Sequence, residues 1–145
     1  MGEEKMVITT LDDKLIDGGK QLIEQLDKDH VKVDAALWYY FDDTQNWKLL
    51  LSLPEVINSG PKATYQVIQE TFQKLRGLPF SLDDSTVAKP NSPLLKLLRH
   101  AVSTDNTTGG IRFSNNMIDG QLIRDAYIYR LLSNYYKRNK SVKSR

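Results

Sequence analysis

The chain of 145 residues predicts an α+β fold: a single, largely antiparallel sheet of about five strands with three helices mainly on one face, in the order α-β-β-α-β-α-β-β. Three observations carry that prediction. Val31–Leu53, VKVDAALWYYFDDTQNWKLLLSL, alternates apolar residues with period two on both sides of a polar turn. Asp119-Gly120, the dipeptide preferred by a two-residue type I′ turn, stands between two further alternating runs. Around these lie stretches in which apolar residues recur at helical spacing.

Met1–Thr9 reads as an arm with a short extended piece at Val7–Ile8. From Thr10 the spacing of Leu15, Leu22 and Leu26, beside Ile16, Gly19 and Ile23, predicts the first helix, with Thr10 or Asp12 as its cap. Gly18-Gly19 inside it costs about 1 kcal/mol per glycine relative to alanine, which a close crossing over the sheet would justify. In the first hairpin, folding about Asp42–Asn46 predicts Phe41 opposite Trp47, Tyr39 opposite Leu49, Leu37 opposite Leu51 and Ala35 opposite Leu53. Its reverse face then carries Ala36, Trp38 and Tyr40 with Lys48, Leu50 and Ser52. That face is half apolar, so a helix, a partner or a ligand should cover its aromatic end.

Ser59-Gly60-Pro61 opens a second helix with the stripe Tyr65, Ile68, Phe72 and Leu75, stopped by Gly77 and Pro79. Phe80–Lys89 suggests a strand interrupted at Asp83-Asp84-Ser85. Asn91-Ser92-Pro93 starts a third helix whose buried set is Leu94, Leu95, Leu97, Leu98, Ala101 and Val102, and Thr104–Gly109 is a polar loop. Folding the second hairpin at Asp119-Gly120 pairs Ile118 with Gln121, Met117 with Leu122, Phe113 with Ala126 and Ile111 with Ile128. One face becomes apolar, and the other presents Arg112, Ser114, Asn116, Asp125, Tyr127 and Tyr129.

A helix leading into an aromatic hairpin, over Thr10–Leu53, is similar to the opening of GAF and profilin-like sensory domains. The strings ALWYYFDDTQNWKLLLSLPEV, GPKATYQVIQE and RDAYIYRL resemble a group of small bacterial proteins. That resemblance implies a common fold and supplies no activity.

The length and a hydrophobic content of 40% fit one domain, residues 1–134, followed by a basic tail, residues 135–145. The tail holds Lys137, Arg138, Lys140, Lys143 and Arg145 and no acid, which leaves fifteen basic against eighteen acidic groups, net −3, in residues 1–134. With no cysteine, disulfides and thiolate chemistry are excluded, and the absence of a long apolar run or signal-like start points to the cytoplasm.

No catalytic residue, metal site or cofactor is expected. His30 and His100 read as surface residues without metal-ligand spacing, and Asp42-Asp43 and Asp83-Asp84 as turn carboxylates. The expected function is a non-catalytic protein-interaction or regulatory module of a bacterial cytoplasm. It would bind itself, as a homodimer, or another protein through a sheet face bearing Trp38 and Tyr40 or the polar face of the second hairpin. One alternative is a nucleic-acid accessory role for Tyr135, Tyr136, Lys137, Arg138 and Lys140 together with Arg112, against which the acidic body argues. Another is a small-molecule sensor or enzyme with a polar pocket near Arg112 and Asp125, walled by Tyr127 and Tyr129.

Overall fold

The computed structural model describes residues 7–104 and 109–132. Three helices, α1 (Asp13–Lys28), α2 (Pro61–Lys74) and α3 (Pro93–Arg99), accompany the strands β1 (Ala35–Phe41), β2 (Asn46–Ser52), β3 (Ser85–Val87), β4 (Ile111–Ile118) and β5 (Gln121–Leu131). The element order matches the one expected. The strands form one sheet in the order β3-β2-β1-β5-β4, antiparallel except for the β2–β3 pair, so the sheet is mixed.

The ends of the helices follow their capping chemistry. Asp12 caps α1 by accepting from Leu15 N at 2.9 Å, and Ser92 caps α3, while Pro61 and Pro93 open α2 and α3 where a missing N–H costs nothing. A short 3₁₀ turn, Leu82–Asp84, occupies the acidic interruption before β3. The third helix stops at Arg99, earlier than its apolar pattern suggests, so Ala101 is exposed instead of buried.

Both faces of the sheet are covered. Beneath α1 and α2, Leu22, Ile23, Leu26 and Ile68 pack with Trp38, Leu49, Leu51 and Tyr129. Beneath α3, Leu95 and Leu98 pack with Leu37, Leu50, Ala126 and Ile128. Trp38 is therefore wholly buried, and its proposed role as an exposed platform fails; Tyr40 is half-buried beside Trp47, ring centres 5.6 Å apart.

The register of the first hairpin differs by one residue from the expected one. Tyr40 lies opposite Trp47, Trp38 opposite Leu49, Leu37 opposite Leu50 and Ala35 opposite Ser52. The face under α1 thus gathers Ala36, Trp38 and Tyr40 with Trp47, Leu49 and Leu51. A one-residue slip normally turns apolar side chains into water and is forbidden for that reason. Here each face of β1 is apolar and each is buried, so alternation cannot choose between the two registers. The turn chooses. Its four residues, Asp42–Gln45, end on Gln45 in the left-handed region at φ 56°, which brings Asn46 opposite Phe41.

The tandem glycines of α1 are explained by close approach. A Cβ on Gly19 would fall 2.3 Å from the Tyr129 hydroxyl and 2.9 Å from Trp38 Nε1, and one on Gly18 would fall 2.8 Å from Pro79 Cδ. The helix backbone thus rests directly on the sheet. Trp38 Nε1 donates to the Tyr129 hydroxyl at 3.0 Å, and that hydroxyl donates to Ile16 O, so both polar handles of the aromatic core are satisfied. Arg130, 2% exposed, spans the same region with a bidentate pair to Asp27 at 2.8 and 2.9 Å.

Candidate functional site

The second hairpin has the register its turn dictates. Ile118 pairs with Gln121, Met117 with Leu122, Phe113 with Ala126 and Ile111 with Ile128. Asp119 and Gly120 hold φ of 50° and 81°, the two positive values that a type I′ turn requires. β4 is an edge of the sheet, and most of its eight residues are exposed.

On the side shared with α1 the structure assembles Arg112, Ser114 and Asp125. Arg112 Nε and Nη2 donate to the two oxygens of Asp125 at 2.8 and 2.9 Å, and Ser114 Oγ donates to Oδ1 at 2.7 Å. The guanidinium lies over Trp47, 5.5 Å from its ring centre. Burial alone would raise the Asp125 carboxyl, but the hydrogen bonds from Arg112 and Ser114 outweigh it and hold the group below its ordinary range. The Asp125 hydrogen bond in turn raises Arg112. Chemically this is a closed, neutralised fork that presents a flat polar plate, with both carboxylate oxygens already engaged.

Three residues expected on that face are arranged differently. Tyr129 turns into the core and is 1% exposed, so it forms no wall of a surface site; Tyr127 is half-buried, its ring 5.2 Å from that of Tyr129. Asn116 leaves the face because Asn115, at φ 49°, inverts the alternation of the strand. Beyond that point Ile118 and Ile123 drop into the cluster under α3, and Asn116, opposite Ile123, turns to the same side while staying exposed. Asn116 keeps one link to its former neighbour, donating to Ser114 O at 3.0 Å.

The same inversion sends Met117 and Leu122, directly opposite each other, outward on the Arg112 side, 63% and 47% exposed. A large apolar pair at a hairpin tip was not read from the sequence as exposed. The missed signal is Asn115, one of the few residue types that tolerate the left-handed region. The tip is braced from below, since the His100 ring meets Asp119 and Arg124 meets Asp42 at 3.1 Å.

The turn carboxylates are occupied as turn residues. Asp43 accepts from Thr44 N at 3.0 Å and Asp84 from Ser81 N at 2.9 Å. An open cleft of about 1040 Å³ separates the N-terminal arm from the first hairpin and the 78–84 segment, lined by Thr10, Lys14, Asn46, Lys48, Phe80 and Asp83 among others. Its charges are mixed, and neither Arg112 nor Asp125 reaches it. Among the described residues no group of three or more His, Asp or Glu side chains is placed to hold a metal, and no helix is long and apolar enough to cross a membrane. The tail residues Tyr135, Tyr136, Lys137, Arg138 and Lys140 lie outside the described residues.

No family model matches the chain, and neither a curated protein nor a solved structure matches it.

Proposed function

We propose that the protein is a non-catalytic interaction module that associates with a second copy of itself along the β4 edge. The observation that carries this is the edge: Ile111–Ile118 is long, mostly exposed and flanked by the outward pair Met117 and Leu122. An unpaired strand edge offers a row of main-chain donors and acceptors, and native proteins usually blunt such edges with lysine, proline or a very short strand. β4 has no lysine and no proline, and its one charge, Arg112, is neutralised within the hairpin. Among the described residues the kink at Asn115 is its only guard, and it leaves Ile111–Ser114 extended.

The other edge favours a symmetric partner. β3 is three residues long, and ahead of its first residue Ile8 O accepts from Trp47 N at 2.8 Å, closing part of the β2 edge. Head-to-tail addition of β4 to β3 of another copy therefore has little to pair with, whereas antiparallel β4–β4 pairing about a two-fold axis uses the same edge twice. With both faces of the β1–β2 ribbon covered, the edge takes the place of the Trp38 face expected from sequence.

Light scattering across a concentration series tests the reading. Dimer is expected in the wild type, and monomer in the double variant Met117→Lys, Leu122→Lys with an unchanged melting temperature, since both side chains are exposed. A wild type that stays monomeric up to its solubility limit refutes it.

A further inference from the structure

At the opposite end of β5, a buried charge sits in an incomplete hydrogen-bond set. Asp34, just before β1, is wholly buried. Its Oδ2 accepts from Arg99 Nη2 at 2.8 Å, while among the described residues Oδ1 and the buried Ser52 hydroxyl make no well-formed hydrogen bond, although the hydroxyl is close enough to act on the carboxylate. The two residues are neighbours across the β1–β2 ladder, where Asp34 N donates to Ser52 O at 3.1 Å. Orphaned buried polar atoms are costly, and two of them side by side call for an explanation.

The surroundings define the charge. Arg99, from α3, divides its donors between Asp34, Leu132 O at 2.8 Å and Pro90 O. The Asp34 carbonyl accepts from Leu132 N at 2.9 Å, and Leu131 exchanges 2.8 Å bonds with Thr104. Arg130, from β5, bonds to Val33 O and is matched by Asp27, and the His100 ring is turned to Asp119. Among the described residues Arg99 is the cation bonded to the carboxylate, and two carbonyls share it.

We infer that the corner where β1, β2, β5 and α3 meet is a proton-operated clasp, in which Asp34 takes up a proton that it can share with Ser52, closing the corner, and gives it up when the corner opens. Burial pushes the Asp34 carboxyl above its ordinary range, outweighing the Ser52 hydroxyl and Arg99, which both favour the charged form. In an opened corner Asp34 meets water and returns toward its ordinary value. The closed state therefore binds the proton more tightly. By linkage, falling pH closes the corner, and rising pH through the closed-state value favours opening. A protonated Oδ1 donating to Ser52 Oγ satisfies both orphaned atoms at once, while Oδ2 keeps Arg99. The clasp holds Leu132, where the chain leaves β5 toward the basic segment 135–145.

Native-state amide exchange at Asp34, Leu131 and Leu132, with the carboxyl carbon of Asp34 followed by NMR, tests the inference in the full chain. The opening constant, corrected for intrinsic exchange, is expected to rise several-fold as pH is raised through the Asp34 titration. In Asp34→Asn, which carries a permanent donor, it is expected to stay flat. Ser52→Ala should move the wild-type rise to higher pH, because the charged carboxylate loses a hydroxyl that favours it. Parallel behaviour of wild type and Asp34→Asn overturns the clasp. So does an Asp34 carboxyl that titrates at or below the ordinary aspartate range, a result that needs no variant. Neither readout depends on the oligomeric state.

Discussion

The two hairpins of this chain obey opposite rules. β1–β2 is walled in on both faces, and its register is set by a four-residue turn; β4–β5 is partly open to water, and its register is set by a two-residue turn whose chemistry is explicit. Hydrophobic alternation specifies pairing only when one face must stay dry and the other can be wet. Where both faces are dry, the alternation is present but carries no information about register. The most apolar ribbon is therefore the one whose pairing is hardest to read, and the half-polar ribbon the easiest.

The comparison also orders the expected effects of substitution, since the closed ribbon should be far less tolerant than the open one. Trp38→Ala removes the largest fully buried side chain, leaving a cavity next to Tyr129 and Phe80; a loss of about 3–5 kcal/mol is expected in denaturant unfolding. A loss below that of an exposed-residue change would show that the indole is not packed as described. Gly19→Ala comes next, at about 1–3 kcal/mol, because the added methyl group overlaps the Tyr129 hydroxyl, which is held in place by Trp38 and Ile16. Rescue by Tyr129→Phe in the double variant would locate the clash; additivity of the two changes would dissociate them.

Gly120→Ala acts on the open ribbon. At φ 81° an L side chain is strained, so about 1 kcal/mol is expected to be lost, although nothing lies within 4 Å of the added methyl group. An unchanged melting temperature would mean that the turn can relax to another type, and the two hairpins would then differ less than their turns suggest.

How much was legible follows from the same physics. Element order, the Asp12 and Ser92 caps, the proline starts and the pairing of β4 with β5 are local signals, each written in a few adjacent residues, and the structure has them. The Arg112–Asp125 pair was readable because it follows from a register fixed by Asp119-Gly120. Three features, the burial of Trp38, the burial of Tyr129 and the Asp34 corner, depend on parts of the chain far apart in sequence, whereas the turning of Asn116 is local. Trp38 disappears under α1 because Gly19 lets the helix approach, and Tyr129 goes inward because Ile16 and Trp38 offer it bonds. Asn116 changes face because its neighbour adopts a left-handed backbone. The Asp34–Arg99 corner joins residues 65 positions apart. Its local trace is an aspartate immediately before a wholly apolar strand, where a charge has no reason to be unless something meets it.

The smallest effect belongs to the Arg112–Asp125 fork, and its sign is fixed by the direction of the shift. The Asp125 carboxyl lies below its ordinary value in the folded chain, so it contributes stability above the unfolded-state value of about 3.8 that is lost as pH falls through the folded one. Arg112 is 47% exposed and Asp125 24%, so water screens the pair and the contribution stays below about 1 kcal/mol despite the bidentate geometry. The stability difference between wild type and Asp125→Asn should therefore be small near neutrality, shrink as the solution is acidified through the carboxylate range and shrink further with added salt. A difference that is constant with pH would assign the cost of the variant to the Ser114 hydrogen bond and the packing on Trp47. The open hairpin would then owe its order to its turn and to Ile118 and Ile123 beneath it, with no share from the charges on its exposed face.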